Sequence, residues 1–322
     1  MADIDKISTI LSDKEMVTKI ISTFASILLV WAGVYFVYKL TMPSRQCSNT
    51  DIIVANKTNT LGIPKDLYNT PINKFYIKTA YNCCSLGDYA NDNVGTCILT
   101  SILKQGVRCL DFEIFSIDNM PVVATSTIKS YHEKETYNYL PFREVISLIS
   151  DQAFTGDISP NSGDPLFIHL RIKSNNIKMF TTLNNILNKV PNLKKGDVLP
   201  STPVSSIMGK VVIIASNENK AYLTSGAYNM VSGTSLFYLY KYESIQNLSN
   251  AEIGQMNKPN SMSIVIPSAG PNPPNIDINK IIKMQCNMMA MRYQLNDPQL
   301  TNYNKIFNDC AFILKDNITL KK

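Results

Sequence analysis

The first regularity along the chain is an uninterrupted uncharged stretch from Ile20 to Tyr38, bounded by Lys19 and Lys39. At about 1.5 Å rise per residue, a helix of that length spans roughly 28 Å, close to the hydrocarbon core of a bilayer. Trp31, Tyr35 and Tyr38 fall toward its C-terminal end, where an interfacial aromatic belt belongs. A cleaved signal peptide or a buried core helix would give a similar pattern. The preceding segment, however, is long and mixed in charge, and no small-residue cleavage site follows Tyr38. The stretch reads as a single-pass transmembrane helix. Lys6, Lys14 and Lys19 on one side nearly balance Lys39, Arg45 and Lys57 on the other, so its direction stays open.

Beyond it, residues 39–70 carry Pro43, Pro64 and several Ser, Asn and Thr, the composition of a linker. From Phe75 onward two periodicities alternate. Short β-branched or apolar runs predict strands at Phe75–Thr79, Val107–Phe115, Pro121–Ala124, Leu166–Ile172, Lys210–Ala215, Ser235–Tyr240, Ser263–Ile266, Met288–Gln294 and Ala311–Leu314. Val94, Ile98, Leu99, Ile102 and Leu103 recur at helical spacing and end at Gly106. Further helices are predicted over Phe142–Phe154 and Ile177–Val190, and the Asn- and Pro-rich stretch 255–279 reads as a rim loop. Roughly eight strands separated by helices over about 250 residues suggest a parallel (β/α)8 barrel of TIM type. An open doubly wound sheet is the rival, but no GxGxxG turn follows the first strand. The chain divides into a tail (1–19), the span (20–38), the linker (39–70) and a barrel (71–318) with halves at about 71–190 and 200–318.

Composition refines this picture. Of 322 residues, 45% are hydrophobic and 17% charged, so a large core can be buried. The net charge of +6 suits an anionic lipid surface, yet no basic run is dense enough for a nucleic-acid footprint. The abundance of asparagine fits AT-rich codons of the kind found in large DNA viruses, hence an expected virion or host-cell membrane. The seven cysteines show no CxxC spacing, so neither a disulfide framework nor a zinc site is expected, and free thiols in a reducing compartment are. Three glycosylation sequons, at Asn56, Asn247 and Asn317, weigh against that compartment, although chance alone yields a few in so asparagine-rich a chain.

Several segments then align in order with one family. Thr79-Ala80-Tyr81-Asn82-Cys83 stands where S-H-N-T-Y occurs, and Val107-Arg108-Cys109-Leu110-Asp111-Phe112-Glu113 resembles C-R-C-V-E-L-D. Pro121–Ser126 is similar to P-I-V-Y-H-G, and Asp164–Ile172 to Y-P-L-I-L-S-L-E-N. Gln285–Gln294 resembles G-C-Q-M-V-A-L-N-F-Q-T, and Asp309–Lys315 resembles G-C-G-Y-V-L-K. The chain thus resembles the X and Y halves of phosphoinositide-specific phospholipase C over residues 75–315.

That resemblance implies two histidines for acid–base transfer and a calcium ion on carboxylate and amide oxygens. Here Tyr81 and Thr125 stand at the histidine positions, and neither exchanges protons usefully near pH 7. Asn82, Asp111 and Glu113 are the remnant of the calcium site, but the last ligand is Arg171, which cannot ligate a metal. Arg171 reads either as a surrogate cation for phosphate or as a salt bridge plugging a retired site. The headgroup-binding positions fall on Ile214, Ser216 and Ile264. His132 and His169 are the only histidines; His132 sits on the expected rim as a possible replacement acid or base, and His169 shares strand parity with Arg171. The expectation is a membrane-anchored, catalytically silent barrel with no resident cofactor and unidentified protein partners. Its rivals are an active phosphodiesterase on phosphoinositide or a related lipid, which would need calcium, and a non-catalytic lipid-binding module.

Overall fold

A computed structural model describes residues 14–54, 58–127 and 133–318; Asn56 and His132 lie outside the described residues. The chain forms two units, Met1–Gln46 and Cys47–Lys322. In the first, α1 (Lys14–Val54) begins, and its Phe24, Leu28 and Trp31 are each more than half exposed. It is the one helix among the described residues long and apolar enough to cross a membrane. The expected linker is corrected at its start, because α1 continues through Pro43 to Val54. Proline removes a single backbone donor there. Local side chains support the turn instead: the Arg45 guanidinium donates to the Tyr38 carbonyl at 2.8 Å and lies 4.3 Å from the Tyr38 ring centroid.

The second unit is built on β1 (Phe75–Ala80), β2 (Cys109–Ile117), β3 (Met120–Ala124), β4 (Leu140–Pro141), β5 (Leu166–Ile172), β6 (Val211–Ser216), β7 (Met230–Ser232), β8 (Phe237–Lys241), β9 (Met262–Ile266), β10 (Met288–Met291) and β11 (Phe312–Leu314). Eight of these run parallel in the order β7-β6-β5-β2-β1-β10-β9-β8. The sheet curls into a nearly closed barrel, the TIM-type architecture expected. Among the described residues no ladder joins β7 to β8. Instead the Gly233 and Thr234 amides both donate to the Phe237 carbonyl, at 2.7 and 3.0 Å. The helices α2 (Cys97–Lys104), α3 (Phe142–Gln152), α4 (Ile177–Leu187), α5 (Lys220–Leu223), α6 (Asn250–Gln255), α7 (Ile278–Lys283) and α8 (Pro298–Ile306) complete the unit.

Strand alternation splits the core in two. Phe167, Val212, Ile214, Ile264 and Met288 point into the barrel, whereas Leu110, Phe112, Ile168, Ile213 and Val265 face the helices. The strand Val211–Ser216 is buried along its whole length and apolar up to its last residue because both faces are covered. Each fully buried aliphatic or phenylalanine side chain contributes about 1.5–3 kcal/mol. Asn176 caps α4, its side chain accepting from the Lys178 and Met179 amides. Gly106 ends α2 with φ +72°, and a Cβ there would stand 3.0 Å from Thr60.

Three strand expectations change. Pro121–Ala124 is not a barrel stave but the antiparallel partner of β2, because Asp118 and Asn119, at φ +50° and +62°, make a two-residue hairpin turn. Ala311–Leu314 is likewise antiparallel, pairing with β1. The stave β7 is missing from the sequence reading, since three residues are too few to show a period. Cys47 and Cys97 form a disulfide, which corrects the expectation that no cysteines pair. Pattern spacing could not find this bridge; it depends on α1 carrying Cys47 to the start of α2.

Candidate active site

The parallel register of β2 and β5 places Asp111 opposite His169 and Glu113 opposite Arg171. These residues share the inward parity of Cys109 and Phe167 and lie one and two steps closer to the C-terminal rim. Asn82 follows β1 in a left-handed conformation, φ +44°, which an asparagine tolerates better than most residues. Its amide donates to Asp111 Oδ1 at 3.2 Å.

Arg171 is the centre of the site. Its Nε donates to Asp111 Oδ2 at 3.0 Å and its Nη2 to Asp111 Oδ1 at 2.7 Å, a bidentate fork. Nη1 reaches Glu113 Oε1 at 2.5 Å, and Nη2 also reaches Asn82 Oδ1 at 2.7 Å. Glu113 Oε2 accepts the Ser126 amide at 2.9 Å. All four residues are buried, with 3% of Arg171 exposed. Burial alone would push the Asp111 carboxyl up, but the adjacent guanidinium and the hydrogen bond with His169 hold it well below the usual carboxylate range. Arg171 is held charged against its own desolvation by the carboxylates of Asp111 first and then Glu113.

Tyr81 lies over this cation, with its ring centroid 4.5 Å from the guanidinium carbon. Its ring meets Tyr89 edge-on at 5.5 Å, and Arg292 closes the stack 4.7 Å from Tyr89. Burial raises the Tyr81 hydroxyl well above its ordinary range, so it stays a neutral phenol at physiological pH. Thr125 is buried, and its hydroxyl donates to the Tyr89 carbonyl at 2.9 Å. Both residues standing at histidine positions are therefore committed to packing and hydrogen bonding.

A second chain of contacts runs inward. His169 Nδ1 lies 2.7 Å from Asp111 Oδ2, and its Nε2 lies 2.8 Å from Ser232 Oγ. The connectivity is that of a Ser–His–Asp nucleophile relay. Both Ser232 and His169 are fully buried, however, and neither lines the rim cleft beside Arg171. A nucleophile that no substrate reaches acts as a strut, here holding Asp111 against Arg171.

The rim itself is a cleft of about 230 Å³ above Arg171, Tyr81 and Glu113. Lys173, Lys241 and Glu218 also line it, with Pro267–Gly270 from the loop after β9. Lys173 faces Glu218 at 3.8 Å. The loop is tied down by Arg292, which donates to Asn272 Oδ1 at 2.7 Å and to the Pro273 carbonyl, and by the Tyr89 amide on the Pro271 carbonyl.

The structure thus brings Asn82, Asp111, Glu113 and Arg171 into direct contact, with Tyr81 stacked on them and Thr125 one residue away through Tyr89. Ile214, Ser216 and Ile264 are fully buried and do not line the cleft. Sequence reasoning missed Tyr89, Ser232, Lys173, Lys241 and Arg292. Only Lys173, two residues beyond Arg171, carried a local signal of its place. The residues present do not fit a calcium ion: Asn82, Asp111 and Glu113 each give an oxygen to the Arg171 guanidinium, and a fixed cation excludes a second one. Among the described residues no group of three or more His, Cys, Asp or Glu is placed to hold a metal.

Comparison with known proteins agrees with this architecture. Residues 68–216 match the family model of the phosphatidylinositol-specific phospholipase C X domain. Over 113 residues the chain is 28% identical to 1-phosphatidylinositol 4,5-bisphosphate phosphodiesterase 1 of Saccharomyces cerevisiae, covering 35% of this chain. The match takes in 12% of that yeast protein. The S. officinalis PLC21 crystal structure shares the fold at a TM-score of 0.59 and 13% identity, over 80% of this chain and 38% of that one. L. pealei PLC21 does so at 0.54 and 12%, with the same coverage.

Proposed function

We propose that this phospholipase C-like phosphodiesterase barrel is catalytically silent and serves at a membrane as an interaction or structural component of a virus. The observation that carries this reading is Arg171, whose guanidinium is bonded to Asn82, Asp111 and Glu113, the three residues that would remain to hold calcium. Phosphodiester cleavage needs a proton acceptor for the attacking hydroxyl and a donor for the leaving group. Tyr81 is held neutral by burial and Thr125 is engaged by a carbonyl, so neither supplies that exchange. Loss of a general acid or base costs on the order of 10²–10⁴ in rate, and two such positions are altered. Arg171 offers one positive charge, but two carboxylates beside it neutralise that charge toward an incoming phosphate.

The apolar helix α1 supports the membrane part of the reading, by length and composition. The test is inositol phosphate release from phosphoinositide vesicles under calcium titration, using the full chain. No calcium-stimulated release is expected. Turnover that Arg171→Ala or His132→Ala abolishes would overturn the proposal in favour of a rebuilt phosphodiesterase. Saturable headgroup binding without turnover would point instead to a lipid-binding module. Tyr81→His, Thr125→His and Arg171→Glu combined should recover little, since Ile214 and Ile264 remain apolar.

A further inference from the structure

Cys47 and Cys97 are bridged, with Cα atoms 5.8 Å apart and a sequence separation of 50. Cys47 lies in the turns of α1 that belong to the barrel unit, and Cys97 opens α2. Both pack against the outer core. Such bridges form and persist in oxidising compartments and are rare where thiols are kept reduced. The remaining cysteines fit that environment. Cys83, Cys84, Cys109 and Cys286 are buried, and burial pushes each thiol up, so none offers a thiolate for exchange. Cys310 is half-buried, with its thiol raised by burial to about 11.

A separate feature fits the same compartment. Asn247-Leu248-Ser249 is an N-glycosylation sequon in the segment leading into α6. Leu248 packs against the outer core, while Asn247 and Ser249 on either side are exposed. The Ser249 hydroxyl caps α6 and bonds Glu252 in a capping box, so transfer to Asn247 belongs before or during folding.

We propose that the barrel stands on the oxidising, lumenal or extracellular side of its membrane, where Cys47 and Cys97 pair and Asn247 accepts an N-linked glycan. The inference rests on the membrane-anchor part of the reading above and is independent of catalysis. It also supplies the direction that the balanced flanking charges of α1 leave open.

The test is translation of the full chain into sealed endoplasmic-reticulum vesicles. Added protease should spare the barrel until detergent is present. Asn247→Gln should lose one endoglycosidase-sensitive mobility step that Ser249→Thr, which keeps the sequon, retains. Cys47 and Cys97 should resist maleimide until reduced. Digestion of the barrel without detergent, co-migration of Asn247→Gln with the parent, or alkylation of both cysteines without reductant would each overturn the assignment. Alkaline carbonate separates the two readings. A chain released by the wash yet bridged and glycosylated defeats the anchor alone; a retained chain with neither mark defeats this inference alone.

Discussion

Replacing Arg171 by alanine removes four hydrogen bonds at once and leaves Asp111 and Glu113 buried beside each other without a cation. Breaking a buried ion pair from one side costs about 3–5 kcal/mol, because the orphaned charge keeps its desolvation penalty. For a unit of this size that corresponds to roughly 10 °C in Tm. The pH dependence gives a sharper signature. In the parent the folded Asp111 pKa lies below its unfolded value, so the folded chain binds fewer protons through the acid range. Its contribution is therefore complete above the ordinary carboxylate range and is lost only as pH falls toward the depressed folded value. In Arg171→Ala, burial is no longer opposed by the guanidinium, so the carboxyl protonates at a higher pH than in the parent. The stability gap between parent and variant should be widest at pH 7 and narrow by about pH 4. Urea denaturation followed by circular dichroism at both pH values measures it. Calcium gives a control: Arg171→Glu, which exchanges the cation for an oxygen ligand, should gain a calcium-dependent rise in Tm that the parent lacks. A gap at pH 7 within about 0.5 kcal/mol, or a calcium-dependent rise in the parent, would refute the placement of Arg171 as the internal cation.

Further expectations concern other parts of the molecule. Full-length protein should stay with membranes through alkaline carbonate, while a chain starting near Asn59 should be soluble; release of the former would mean that Ile20–Tyr38 does not span. A fluorophosphonate probe should leave Ser232 unlabelled in native protein, because the Ser232–His169–Asp111 chain is sealed from solvent; stoichiometric labelling would reveal an access path. Lys78 is fully buried, its ammonium donating to the Gln105 carbonyl at 2.7 Å, and desolvation lowers its pKa to about 7. With the folded value below the unfolded one, stability should climb as pH rises from about 7 toward 10. Lys78→Met should flatten that climb, and an unchanged slope would place the lysine's charge elsewhere.

The alternation of apolar strands and amphipathic helices was enough to suggest a barrel ahead of an open sheet, because strand and helix periods are local properties of the chain. The candidate site was partly legible for the same reason: Asp111 and Glu113 on one strand, and His169 and Arg171 on the next, carry their inward parity in their spacing. Asp118 and Asn119 held the signal that β3 turns back on β2, though only pairing made its direction plain. Other features have no local trace. Ser232 meets His169 across 63 residues, and Tyr89 meets Arg292 across more than 200, contacts fixed by barrel closure and by where the rim loops land. The Cys47–Cys97 bridge is of the same kind, depending on a helix that runs on past Pro43. Residue types alone put tyrosine and threonine where the phospholipase C resemblance implies two histidines, and arginine where it implies a metal ligand. Three-dimensional packing set what that arginine does, because only proximity tells whether a buried guanidinium meets carboxylates or faces an open cleft.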